Sequence, residues 1–166
     1  MAEKDQILKE ELEHSGLFDF KGIYSFLHSW LIESNHDVDE EKYGEKTSGN
    51  SRDIDIQWKA QKKMSDYFKA EYKIVFEIKN MTEVEVEIDG KKKNMNKGII
   101  KIKITGTLVM DHSGKWESTP FSRFTRDVYN KFVIPSRISA VSGTISNTVV
   151  QLKENAKAFM ELSAKR

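Results

Sequence analysis

The chain has 166 residues, of which 38% are hydrophobic and 32% charged, and its formal net charge is +1. This composition is too apolar for a disordered protein, and the length suits one domain, so we expect a single domain over residues 1–166. Because the chain contains no cysteine, disulfide frameworks, thiol catalysis and cysteine-ligated metal sites are excluded.

The first residues are charged, and no stretch approaches the ~18 consecutive apolar residues of a membrane span. We therefore expect no signal peptide, no transmembrane segment and a cytoplasmic location. Residues 1–60 carry a net charge of −7 and residues 61–166 a net charge of +8. The charges could simply mix on a folded surface, or their separation could favour an anionic partner or head-to-tail self-association.

Two helices are predicted at the front of the chain. Residues 3–14 place Ile7, Leu8 and Leu12 on one side of a short charged helix. Residues 19–33 are a stronger candidate, because their apolar residues recur at the three-and-four spacing of one helical face. These residues are Phe20, Ile23, Tyr24, Leu27, Trp30 and Leu31.

After residue 37 the apolar period changes to two, which is typical of strands with one buried face. The clearest case is residues 68–79, where the even-numbered side chains are apolar. Residues 54–60, 82–88 and 99–110 alternate in the same way, and residues 41–50 form a weaker edge strand. The pattern predicts a five-stranded antiparallel meander from about residue 41 to residue 110.

Two pairings of residues 82–88 with residues 99–110 are possible. Asp89-Gly90 is a favoured two-residue hairpin turn, but it places Val86 opposite Lys93. A longer loop aligns the apolar residues of both strands and sets glutamates opposite lysines, which is the favourable cross-strand arrangement. We favour the longer loop. Residues 89–98 then form a protruding basic loop that carries Lys91, Lys92, Lys93 and Lys97.

The C-terminal third is predicted to be a long kinked helical segment packed on the apolar face of the sheet. Thr119-Pro120 is a helix-start signal, and Pro135 should kink or break the helix. Gly106 predicts a bulge in its strand. The small residues between Ser139 and Ser146 would allow a close approach to another element.

Recognisable catalytic motifs are absent, and the four histidines lack metal-ligand spacing. The carboxylate pairs Asp53/Asp55 and Glu85/Glu87 fall on the predicted solvent face, where nothing would raise a pKa for acid catalysis. We therefore predict no catalytic residue, no metal site and no cofactor, and the sequence favours a protein that is not an enzyme.

Two sets of basic residues could contact a partner. Arg123 and Arg126 are neighbours at helical spacing, and guanidinium groups suit carboxylates and other planar anions. The lysines of residues 89–98 could contact an anionic partner such as an acidic protein. In both cases a simple solvated surface is the alternative. The aromatic residues Trp58, Tyr72 and Phe76 are predicted to face inward, which weakens the case for nucleic-acid binding.

The order of helix, antiparallel strands and long C-terminal helix resembles START-type helix-grip folds and nuclear-transport-factor-like folds. That resemblance implies an apolar cavity between sheet and helix, whose ligand would contact Trp58, Tyr72, Phe76, Arg123 and Arg126. At the level of sequence, four stretches resemble a group of short uncharacterised archaeal proteins, which implies no activity. These stretches are Tyr24–Leu31, Ile54–Lys59, Val84–Lys91 and Asn96–Gly98.

The sequence therefore predicts an α+β fold with two N-terminal helices, about five antiparallel strands and a kinked C-terminal helical segment. The favoured function is a non-enzymatic cytoplasmic binding or self-assembly module, and we expect a homo-oligomer. The first alternative is a START-like domain that binds an apolar small molecule. A weaker alternative is nucleic-acid binding through the basic loop.

Overall fold

A computed structural model of the chain describes residues 3–110, 120–128 and 135–165. Five strands and three helices follow one another in the order β1, α1, β2 to β5, α2 and α3. The strands are β1 (Glu3–Phe18), β2 (Asp37–Ser48), β3 (Ser51–Lys63), β4 (Phe68–Ile88) and β5 (Lys91–Met110). The helices are α1 (Phe20–Glu33), α2 (Pro120–Val128) and α3 (Pro135–Lys165).

All five strands form one antiparallel sheet in the order β1-β5-β4-β3-β2. This confirms the α+β class and the antiparallel sheet, but the prediction of two N-terminal helices is wrong. Residues 3–14 belong to β1, which pairs with β5 along its whole length. A register shift between Gln6 and Leu8, opposite Gly106, breaks the alternation of β1. The bulge predicted at Gly106 therefore lies on the strand beside it.

The predicted alternation along β4 is confirmed. The even-numbered side chains from Phe68 to Ile78 are buried, whereas their odd-numbered neighbours are half-buried or exposed. This strand continues to Ile88 with a register shift between Lys79 and Thr82, so the two strands predicted at residues 68–79 and 82–88 are one.

The favoured long loop between β4 and β5 is wrong. Asp89 and Gly90 have φ angles of 53° and 77°, the left-handed values that a tight two-residue hairpin turn requires. Val86 consequently lies opposite Lys93, as the rejected register specified. This pairing costs little because Val86 is only half-buried at the hairpin end. The register shift between Lys79 and Thr82 then moves the pairing by one residue, which aligns Phe76 with Ile102 and Ile78 with Ile100.

Helix α1 confirms the stronger of the two helix predictions. Asp19 caps its first turn by accepting a hydrogen bond from the Gly22 amide at 3.0 Å, which satisfies one of the free N–H groups of a helix start. Ile23, Leu27 and Leu31 are the buried residues of α1, and they belong to the core on the apolar face of the sheet. The side opposite this core is exposed.

Helix α3 crosses the apolar face mainly over β1 and β5. Its buried residues are Ile145, Val149, Leu152, Ala156 and Met160. Among the described residues, no helix is long and apolar enough to cross a membrane. Pro135 is the first residue of α3. The break or kink predicted before it and the predicted cap Thr119 fall on residues outside the described part of the chain.

Close approach between α3 and the sheet is achieved by a glycine in the strand rather than by the small residues of the helix. A Cβ atom on Gly106 would lie 2.7 Å from the Cγ2 atoms of both Ile145 and Val149. Gly143, in contrast, has open space around it, and Ser139 and Ala140 are exposed. The prediction that residues 139–146 permit the close approach is therefore wrong.

We expect Gly106→Ala to lower the free energy of unfolding by about 1–3 kcal/mol, because the added methyl group overpacks the α3 contact. Gly143→Ala is the matched control and should be neutral or stabilising by up to about 1 kcal/mol, since alanine favours an exposed helix position. Adding Val149→Ala to Gly106→Ala should recover part of the loss. Urea unfolding measures all three, and a Gly106→Ala protein as stable as the wild type would contradict the close contact.

Candidate binding surfaces

The three aromatic residues predicted to contact a ligand lie together on the inner face of the sheet. Trp58 of β3 and Tyr72 and Phe76 of β4 are at most 1% exposed. The Trp58 ring packs edge-on against Phe76 and against Tyr24 of α1, with a centroid distance of 4.9 Å in each case. In this position the three residues form part of the hydrophobic core.

Beside this cluster is a buried polar residue that sequence reasoning missed. His36 follows α1 and is 6% exposed, and its backbone amide donates to the Leu31 carbonyl at 2.9 Å. Its ring lies edge-on to Tyr72 at 5.3 Å. Within the described residues, neither ring nitrogen of His36 has a hydrogen-bond partner, and nor does the indole nitrogen of Trp58. Such buried polar groups without partners are uncommon and cost free energy.

The pKa of His36 is lowered, first because burial disfavours the charged ring and second because of the positive charge of Lys62. The Leu31 and Ser34 carbonyls and the Asp37 carboxylate oppose this shift, but neither carbonyl completes a hydrogen bond to the ring. His36 is therefore neutral at neutral pH.

A groove runs between α1 and the edge strand β2, and we call it the α1/β2 groove. It consists of two hollows of about 290 Å³ each that share Phe20, Lys21 and Tyr43. One hollow is lined mainly by Phe20, Tyr24 and Tyr43. The other extends along the sheet to Arg52 and Glu83. Tyr43 is 52% exposed, so the groove presents aromatic surface to solvent.

Acidic residues dominate the rim of the α1/β2 groove. The Tyr24 hydroxyl donates to Glu40 at 2.8 Å, and burial together with this carboxylate raises the pKa of Tyr24. Arg52 lies 3.3 Å from Glu45 and 3.7 Å from Glu83. The rim thus carries four acidic residues, Asp19, Glu40, Glu45 and Glu83, against the two basic residues Lys21 and Arg52, and its net charge is negative.

Helix α2 presents its apolar stripe to solvent. Phe121, Phe124 and Val128 fall on one side of the helix at three-and-four spacing and are 77%, 64% and 38% exposed, respectively. Arg123 is also exposed. Arg126 lies in the same helix, but its side chain is outside the described part of the chain. The predicted arginine pair thus accompanies an uncovered apolar face and is remote in sequence from Trp58, Tyr72 and Phe76.

The four predicted anion-contacting lysines lie on β5 in the tight hairpin rather than in a loop. Lys91, Lys92, Lys93 and Lys97 are all exposed. Lys92 lies 3.7 Å from Glu85 and directly opposite Glu87. Because glutamates of β4 face this end of β5, the hairpin is less basic than the sequence of residues 89–98 alone indicates.

No protein-family model matches the chain, and no curated protein matches it. Among the described residues, no group of three or more histidine, aspartate or glutamate side chains could hold a metal ion. A function must therefore be proposed from the surfaces themselves.

Burial of neutral His36 predicts that the protein loses stability in acid. Its pKa is near 6.5 in the unfolded chain and lower in the folded chain. As the pH falls below about 6.5, the unfolded state binds a proton that the folded state does not, so the free energy of unfolding decreases. One proton limits the slope to about 1.4 kcal/mol per pH unit.

Urea unfolding between about pH 5 and pH 8 measures this dependence. His36→Phe should reduce the loss of stability below about pH 6.5, whereas the control His28→Asn should retain it because His36 is intact. Equal acid dependence in the wild type and the His36→Phe variant would show that His36 is not the responsible group.

Proposed function

We propose that this protein is a non-enzymatic binding module that assembles head to tail, with α2 of one copy docked in the α1/β2 groove of the next. The observation that carries the proposal is the exposure of Phe121 and Phe124, at 77% and 64%. Large aromatic side chains exposed side by side on a helix are typical of an interaction surface.

The two surfaces complement each other in their apolar groups. With nine residues, α2 is about 14 Å long, and its three apolar side chains form one stripe. The groove offers the rings of Phe20, Tyr24 and Tyr43. Transfer of aromatic surface from water to such a groove is favourable, and aromatic pairs add a further contribution.

Their charges are also complementary. In α2 the two basic residues Arg123 and Arg126 outnumber the acidic residue Asp127. Around the groove the acidic residues outnumber the basic ones. The acidic residues are Asp19, Glu40, Glu45 and Glu83, and the basic residues are Lys21 and Arg52. Opposite charges increase the rate of encounter and fix the orientation. Exposed ion pairs contribute only about 0–1 kcal/mol each, so the apolar stripe supplies most of the affinity.

Because α2 and the groove are different patches of one chain, this contact is heterologous. Such contacts close into rings or continue as filaments. Under this proposal the acidic front and basic rear of the sequence meet between copies. The module acts in the cytoplasm, since a chain without cysteine needs no oxidising compartment.

Two variants that each remove one surface test the assembly. Tyr43→Lys places a positive charge in the groove, and Phe124→Glu places a negative charge on α2. We expect the wild type to exceed the chain mass of 19.2 kDa in light scattering as its concentration rises, and each variant alone to stay at that mass. An equimolar mixture should form a heterodimer and nothing larger, because only one intact interface remains.

Ile32→Lys and Leu162→Glu are matched controls, since both residues are exposed apolar positions outside the two surfaces. They should assemble like the wild type. A wild-type mass that stays at 19.2 kDa up to millimolar protein, or a mixture that forms no heterodimer, would contradict the proposal.

A second candidate function is the binding of a largely apolar small molecule between the sheet and the helices, as in START-type folds. The unpartnered nitrogens of His36 and Trp58 favour it. A ligand oxygen at either nitrogen would supply the missing hydrogen bond, and the surrounding aromatic rings suit an apolar ligand body. The rings would have to separate to admit the ligand.

If this second function holds, solvent extraction of the purified protein followed by mass spectrometry should recover a small molecule in stoichiometric amount. Trp58→Phe keeps an aromatic ring but removes the N–H group, and it should release that molecule. Leu162→Glu, far from the cluster in sequence, serves as the control and should retain it. Recovery of nothing above the level of a blank would contradict the small-molecule function.

A further inference from the structure

The polar face of the sheet, opposite α1 and α3, contains a hollow of about 370 Å³ that none of the surfaces above includes. We call it the polar-face hollow. Residues from all five strands line it, among them Lys4, Gln57, Lys59, Lys73, Thr105 and Thr107. Its lining is therefore rich in hydrogen-bond donors.

Strand pairing places like charges next to each other across this hollow. Lys59 of β3 lies directly opposite Lys73 of β4, Lys73 lies opposite Thr105 of β5, and Thr105 lies opposite Lys9 of β1. On the far side, Asp39 of the edge strand β2 faces Lys59. Directly opposed like charges destabilise a sheet. The row from β3 to β1 thus contains three lysines and no acidic residue.

The acidic residues of the hollow neutralise this row only in part. Glu71, whose side chain is 12% exposed, lies within 3.3–3.5 Å of three ammonium groups, those of Lys4, Lys59 and Lys69. Burial would raise the pKa of Glu71, but these lysines together lower it. The single negative charge of Glu71 balances only one of these three positive charges. Glu41 accepts a hydrogen bond from Gln57.

Lys73 forms no ion pair among the described residues, unlike the lysines further along the same face, and Lys9 is close enough to Glu11 to help lower the pKa of that carboxylate. Lys101 lies 2.9 Å from Glu11, and Lys103 lies 3.0 Å from Glu77. The lysine of this row without an ion pair is therefore Lys73, which lines the polar-face hollow.

We propose that the polar-face hollow binds a small phosphorylated molecule, with its anionic group between Lys59 and Lys73. Charge-assisted hydrogen bonds from the two ammonium groups would hold the oxygens, and the Thr105 and Thr107 hydroxyls would donate further bonds. The Gln57 amide would contact the body of the molecule. The bound anion removes the repulsion between the two lysines.

The size and surroundings of the hollow favour a small molecule over nucleic acid. Its volume lies in the range of small-molecule pockets. Nucleic-acid binding instead requires positive charge along the track of the phosphate backbone. Further along the same face, Glu11 and Glu77 pair with Lys101 and Lys103, and these carboxylates would repel a polyanion that extends beyond the hollow.

Isothermal titration calorimetry with inorganic pyrophosphate in low-salt buffer tests the proposal, with ATP as a larger probe and a single-stranded oligonucleotide as the nucleic-acid arm. We expect saturable binding of one pyrophosphate per chain. Lys73→Gln should weaken it about tenfold or more, because a hydrogen bond to a charged group is lost. Thr105→Val, which keeps the side-chain shape, should weaken it less. The control Lys46→Gln, on β2 outside the hollow, should bind like the wild type.

The stability of the protein without pyrophosphate distinguishes a role of Lys73 in binding from a role of Lys73 in the folded structure. Lys73→Gln relieves the repulsion with Lys59, so its unfolding midpoint should equal or exceed that of the wild type, whereas loss of a structural lysine would lower it. At the same concentration, pyrophosphate should raise the midpoint of the wild type more than that of the variant. Absence of saturable binding, equal affinity of Lys73→Gln and the wild type, or tighter binding of the oligonucleotide than of pyrophosphate and ATP would overturn the proposal.

Discussion

The register between β4 and β5 is the constraint on which the other features depend. It is fixed by two features. One is the turn at Asp89 and Gly90, whose positive φ angles match the twist of a tight hairpin. The other is the register shift between Lys79 and Thr82, which moves the pairing of the rest of the two strands by one residue. Because the side-chain period of a strand is two, a slip of one residue would exchange the faces of the sheet. The same register places Gly106 beside Tyr72 under α3 and Thr105 beside Lys73 on the other face.

The two faces meet different demands. On the inner face, continuous apolar burial joins β3, β4 and β5 to α1 and α3, and among the described residues His36 is the buried polar exception. On the polar face, most opposite charges pair across strands, and the polar-face hollow is the exception. Each exception concerns polar or charged groups without a partner. In natural proteins, residues that depart from the pattern around them concentrate at functional positions. This is why His36 and the polar-face hollow both support proposals.

The local parts of the fold were predictable from the sequence, whereas the parts that depend on distant pairing were not. The alternation of residues 68–78 and the cap at Asp19 act within a few residues. Residues 3–14 were mistaken for a helix because Ile7, Leu8 and Leu12 also fit helical spacing, and the bulge between Gln6 and Leu8 hides the strand period. Tertiary pairing then overrides the local preference.

The candidate surfaces were less predictable for the same reason. Lys59, Lys73 and Lys9 are far apart in sequence, and only the strand order brings them into one row.

The β4–β5 turn was rejected because Val86 opposite Lys93 would waste an apolar residue in a buried sheet. The hairpin end is only half-buried, so that argument did not apply there. Exposure of α2 could not be inferred, because its stripe of phenylalanines is equally typical of a core helix.

The free edges of the sheet indicate how copies of this chain can and cannot meet. β1 and β2 are the edge strands, and exposed edges readily pair with other strands. Each carries five acidic and two basic residues, a net charge of −3, so pairing of one edge with the other would oppose like charges. A bulge between Glu40 and Lys42 further interrupts β2. Since edge pairing is thus disfavoured in both strands, α2 docking into the α1/β2 groove is a route to assembly that does not add strands to the sheet.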